Sequence, residues 1–149
     1  MRLLICVDGS KESEKALDKA VMIASGCKAD QVTVLNVFEK VNFPTFVEGA
    51  HQYDTEIMEM YSQMNEELVK EHEEILDRAV EVMLTHGIHA EKMLEEGHPS
   101  QTISKIAEDG DYDMVIMGSR GLSGLKKKLL GSVSNAVLQD THTSVLVVK

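Results

Sequence analysis

Cysteine is scarce in this chain: Cys6 and Cys27 are the only two, with neither C-x-x-C spacing nor the density of a disulfide framework. That excludes a stapled scaffold and reads as reduced thiols in a cytoplasmic protein. Long apolar runs are missing too. No stretch approaches the roughly 18 apolar residues of a membrane span, and the apolar run that opens the chain turns charged too soon for the core of a signal peptide. Bases are outnumbered, with 15 Lys and Arg against 25 Asp and Glu. The formal net charge of -10 disfavours general attraction to nucleic acid or to an anionic membrane surface. An anionic ligand therefore needs a locally positive spot. Familiar spacings are absent as well: the six histidines form no H-x-x-x-H or H-E-x-x-H pattern. There is also no G-x-x-x-x-G-K-[ST], and no G-x-G-x-x-G after the first apolar run.

What is present alternates. At 149 residues the chain is expected to form one domain, 1–149, able to bury a core without metals or disulfides. Leu3 to Val7 is a continuous apolar run, the signature of a strand buried on both faces, and "DGS" after it offers Ser10 as a helix cap. Ala16, Leu17, Ala20, Ile23 and Ala24 recur at helical spacing until Gly26, the expected stop. "QVTVLNVF", Gln31 to Phe38, is β-branched and reads as the second strand. An irregular stretch from Phe38 to Asp54 follows, with all three phenylalanines and Tyr53, and these aromatics are expected to tuck against the domain's own core. From Thr55 to His86 one apolar stripe (Ile57, Tyr61, Met64, Leu68, Ile75, Ala79, Val82) marks a long helix whose methionines read as core filler. His72, with no ligand partner one turn on, reads as a boundary residue.

"HAEKMLEEG" is a weak third strand, and Pro99 suits the first turn of a helix over about Ser100 to Glu108. "DMVIMG", "LLGSVSNAVLQ" and "TSVLVVK" complete the order as strand, helix and strand. Strands alternating with helices predict an α/β fold: a doubly wound, five-stranded parallel sheet with helices on both faces. A strand order of 3-2-1-4-5 would bring Asp8 and the segment after Gly118 to one crevice at the strands' carboxyl ends, where such sheets bind ligands. Val145 to Lys149 would then form a nearly uncharged edge strand, and a homodimer paired through it is expected.

The segment "MGSRGLSGLKKKLLGSVS", Met117 to Ser134, holds four of the fifteen bases within nine residues: Arg120, Lys126, Lys127 and Lys128. Gly118 and Gly121 would let backbone N–H groups approach a ligand, and Gly131 and Ser132 open a helix whose N-terminus favours anions. This pattern resembles the signature of the universal stress protein family: G-x-x-G, nine residues, then G-[ST], met by Gly118, Gly121, Gly131 and Ser132. "LLICVDGSKESEKAL", "EEGHPSQTISKIAEDGDYDMVIMGSRG" and "SVLVVK" are similar to its opening turn, its middle G-x-P segment and its last strand.

The resemblance implies a HUP-type, adenine nucleotide alpha hydrolase-like fold, a cytoplasmic stress-response role, and binding of ATP or another adenine nucleotide with Mg2+ or Mn2+ on the phosphates. Asp8 and the backbone at Val37 would meet the nucleoside. Gly118, Arg120, Gly121, Gly131, Ser132, Val133 and Ser134 would line ribose and phosphates. The lysines fall inside the variable nine-residue spacer, where solvated charge accounts for them equally well. With no base and nucleophile paired for hydrolysis, a nucleotide-sensing module ranks first, ahead of a partner-binding or chaperone-like dimer and of a weak ATPase.

Overall fold

The structure, a computed structural model, describes residues 1–42, 55–122 and 130–149. Its elements are β1 (Arg2–Cys6), α1 (Lys11–Cys27), β2 (Gln31–Phe38), α2 (Thr55–Thr85), β3 (Glu91–Glu96), α3 (Pro99–Asp109), β4 (Met114–Gly118), α4 (Ser132–Asp140) and β5 (Ser144–Val148). The five strands form one parallel sheet in the order β3-β2-β1-β4-β5, as the alternation of strands and helices predicts. Central β1 pairs on both sides, with Ile5 between Val34 and Ile116.

Side chains alternate across the sheet and so divide the core in two. Leu3, Ile5, Val7, Val32 and Val34 face α1 and the last third of α2 (Leu76, Ala79, Met83). Leu4, Cys6, Leu35, Val115 and Met117 face α3 and α4, where they meet Ile103, Ala107 and Val137. Both faces are covered, which is why β1 and β4 carry unbroken apolar runs rather than alternating ones. A buried hydrogen bond from the Tyr112 hydroxyl to Thr33 Oγ1 (2.8 Å) satisfies the polar group that β2 places in the second layer.

Three local expectations need correcting. Gly26 does not end α1; the helix runs to Cys27, and Lys28 takes the left-handed cap (φ 48°), its N–H bonded to the Ala24 carbonyl. The methionines of α2 divide: Met83 is fully buried, as core filler should be, but Met58, Met60 and Met64 are exposed. Helix α4 starts at Ser132, with Gly131 as its cap and Leu130 outside it. Phe38 is buried and stacks on His72, whose Nδ1 lies 2.6 Å from Asn36 Oδ1, consistent with a boundary role for that histidine. Phe43, Phe46 and Tyr53 lie outside the described residues.

Candidate functional site

The crevice opens where β1 and β4 part. After Cys6 the Val7 amide makes one last bond to the Leu35 carbonyl (3.0 Å), and the chain then turns through Asp8 and Gly9. Gly9 sits at φ 77°, a backbone handedness that calls for glycine, and a Cβ there would stand 3.1 Å from the Ile75 Cδ1 tip. Asp8 Oδ1 accepts from the Ser10 amide (3.0 Å), while Ser10 Oγ accepts from the Ser13 amide (3.1 Å) and caps α1. The Ser10 hydroxyl also donates to the Arg120 carbonyl (3.4 Å), joining this turn to the one after β4. Oδ2 of Asp8 is thereby aimed across the crevice: a Cβ on Gly121 would lie 2.6 Å from it.

The glycines of the second turn do different jobs. A Cβ on Gly118 would meet α1's first turn at 2.7 Å from the Glu12 carbonyl carbon and 2.9 Å from the Ser13 nitrogen. Gly118 therefore permits helix and strand to pack, a role that its spacing did not suggest. Gly121 keeps clear the space in front of Asp8. Gly131, at φ -64°, donates its amide to the Ser119 carbonyl (2.7 Å), and its missing side chain leaves room beside Arg120 Cα.

Ser119 is the knot of the site. Its amide donates to Val148 at the end of β5 (2.7 Å), and its carbonyl accepts from Gly131 and from the buried Ser134 hydroxyl (3.1 Å). The Ser134 side chain, which also lies 3.1 Å from the Gly131 carbonyl, is thus engaged in holding the start of α4 in place. What α4 presents outward is backbone: with glycine at the cap and no side-chain cap bond, the amides of Ser132, Val133 and Ser134 precede the first intrahelical bond, Asn135 to Gly131. Such a helix end is a site for an anion.

Between these turns lies a cavity of about 290 Å³. Asp8, Val37, Gly118, Arg120, Gly121, Gly131, Ser132, Val133 and Ser134 all line it, so the fold brings these nine residues together. Lys126, Lys127 and Lys128 lie outside the described residues. The sequence reading missed the apolar slot made by Cys6, Leu35, Pro99, Ile103 and Met117, because those residues come from four elements and differ in no way from core. Their signal was positional: each lies near the carboxyl end of a strand or the start of α3.

One end of the slot carries paired polar groups. In β2 the Leu35 carbonyl faces β1, and the Phe38 carbonyl faces β3 by accepting from the Gly97 amide (2.9 Å). By alternation the N–H and C=O of Val37 face β1's side, where β1 has already turned away at Asp8, so this donor and acceptor point into the crevice.

Burial and the nearby Asp8 carboxylate push the Cys6 thiol up to about 12, whereas Cys27 is exposed. Native protein at pH 8 is expected to release one equivalent of colour with a thiol reagent, and two in denaturant; two fast equivalents in the native state would contradict a buried, protonated Cys6. The sign for stability follows, since the folded chain keeps this proton to higher pH than an ordinary thiol with a value near 9.0. Stability from this group is full below about 9 and falls as pH rises toward about 12.

The universal stress protein family model matches residues 1–149. The chain belongs to the universal stress protein family. Universal stress protein YxiE of Bacillus subtilis is 34% identical over 148 residues, covering 99% of this chain and 98% of the relative. Two solved universal stress proteins share the fold. One, in complex with cAMP, is 21% identical with a TM-score of 0.67, over 100% of this chain and 97% of its own. The other, from Archaeoglobus fulgidus in complex with dAMP, is 21% identical with a TM-score of 0.62, over 100% and 98%.

Proposed function

We propose that the crevice binds an adenine nucleotide, with ATP as the working ligand, and that the chain serves as a nucleotide-sensing module of the stress response. The observation that carries this is the adjacency of three chemically distinct surfaces in one cavity: the backbone pair of Val37, the apolar slot with Asp8 at its mouth, and the amides opening α4. Adenine presents an acceptor at N1 beside a donor at N6, which complements the N–H and C=O of Val37; guanine presents the reverse order. The slot covers the base, Asp8 stands within reach of ribose hydroxyls, and Arg120 with the amides of Ser132, Val133 and Ser134 meets the phosphates. The cAMP and dAMP complexes of two relatives support an adenine ligand at this fold.

Among the described residues no three His, Cys, Asp or Glu side chains converge as a metal site. Phosphate oxygens would supply the ligands of Mg2+ or Mn2+. A helix start contributes up to about 2 kcal/mol and each charge-assisted bond about 1.5 to 3 kcal/mol, so base burial and several such bonds together reach the roughly 8 kcal/mol of micromolar binding. Calorimetry with MgATP and MgGTP tests the reading: ATP is expected to bind with GTP weaker by about tenfold or more, roughly 1.4 kcal/mol for the reversed pair. Absence of heat with any adenine nucleotide, or equal affinity for both, would refute it.

The edge strand supports a homodimer as part of the same proposal. The Ser119 amide bonds to the Val148 carbonyl, so the backbone of Ser144, Leu146 and Val148 faces β4, and that of Val145 and Val147 faces outward. Val147→Pro removes an outward N–H without touching the β4–β5 ladder. Sedimentation is expected to show a dimer for the natural chain and a folded monomer for the variant. A variant that stays dimeric would place the interface elsewhere. Membrane insertion has no support in the helices: among the described residues none is long and apolar enough to span a bilayer.

A further inference from the structure

The first half of α2 carries an apolar stripe with several members exposed. Ile57, Met60, Met64 and the half-buried Leu68 follow helical spacing, yet among the described residues every buried residue of this helix (Leu76, Ala79, Met83) lies in its last third. Ile57 is 41% exposed, Met60 49% and Met64 44%, and neighbouring Met58 is 55% exposed. Val41, itself 43% exposed, is held beside the stripe by Asn65, which accepts from the Val41 amide (2.9 Å) and donates to its carbonyl (3.1 Å). Scattered apolar residues on a surface need no explanation, but a run in helical register on one helix does. Four turns without a buried anchor also gain little from tertiary packing, the main source of helix stability in proteins.

The surrounding charge is one-sided. Between Thr55 and Glu74 stand seven acids (Glu56, Glu59, Glu66, Glu67, Glu71, Glu73 and Glu74) and one base, Lys70. We propose that this stripe is a docking surface for a basic amphipathic helix of another protein, whose apolar face meets the methionines and whose Lys or Arg residues meet the flanking glutamates. Methionine suits the task because its unbranched, polarizable side chain adapts to differently shaped partners. The same charge argues against two other occupants. A second copy would bring an equally acidic α2 against this one, and an anionic membrane would be repelled. The surface is separate from the crevice and does not depend on nucleotide binding.

The test uses the full chain and a labelled 18-residue peptide with leucines on one helical face and lysines on the other, followed by fluorescence anisotropy. Saturable binding that weakens with salt is expected, with a loss of about tenfold or more in Met60→Gln/Met64→Gln and a smaller loss in Glu67→Gln/Glu71→Gln. These positions are exposed, so unchanged thermal midpoints will show that the variants fold. A scrambled peptide of the same composition separates recognition from bare charge attraction. No saturable binding, equal binding of the scrambled peptide, or no effect of the methionine changes would overturn the proposal. So would a change in sedimenting mass of the methionine variant without peptide, which would make the stripe a contact between copies of this chain.

Discussion

Gly121→Val is expected to lower MgATP affinity by about a hundredfold, roughly 2.7 kcal/mol, while leaving the fold intact. The position of the clash decides both halves of that result. A Cβ at residue 121 would stand 2.6 Å from Asp8 Oδ2, the tip of a side chain that can rotate, and among the described residues no backbone atom is crowded. The domain can therefore yield locally. The ligand cannot, because the displaced carboxylate and a branched apolar group would occupy the space between the two turns. Calorimetry paired with thermal unfolding checks the prediction: natural affinity in a folded variant would remove Asp8 and Gly121 from the site.

Gly118→Val should behave in the opposite way, failing first in stability. Here the Cβ would meet backbone, 2.7 Å from the Glu12 carbonyl carbon and 2.9 Å from both the Glu12 oxygen and the Ser13 nitrogen. Backbone of a capped helix cannot step aside by rotating a bond. Helix α1 would have to lift from β4, disturbing the Ser10 cap and the core contacts of Ala16 and Leu17. A destabilisation of about 4 kcal/mol or more is expected, read by circular dichroism as a fall in Tm of roughly 10 °C for a chain of this size. A midpoint within about 2 °C of the natural protein would show that the strand and helix are not packed as closely as described.

These two glycines, three residues apart in one motif, show where reading the sequence stops. Spacing marked both as positions where a side chain is not tolerated, and the structure agrees. The reason differs because one faces a helix and the other a carboxylate, and both neighbours come from the β1–α1 segment more than a hundred residues earlier in the chain. Ser134 was similarly legible as a polar residue at a helix start, but its hydroxyl is committed to carbonyls on both sides of the turn. The stripe of α2 misled in a third way. Helical periodicity reports that a face is apolar, and it cannot report how far the sheet extends beneath it.

Local chemistry determined the elements and their order: apolar runs short enough for buried strands, caps such as Ser10, Pro99 at a helix start, and alternation that leaves a parallel sheet as the economical arrangement. These are interactions among residues close in sequence, so their signals survive in one dimension. Only the tertiary structure decided which amides point into the crevice, that Val37 turns its donor and acceptor to the side where β1 has already ended, that Ser119 ties the site to the edge strand, and that among the described residues the buried positions of α2 are confined to its last third. Each depends on where one element ends relative to another distant in the chain, which is set by packing across the sheet rather than by any residue's own preference.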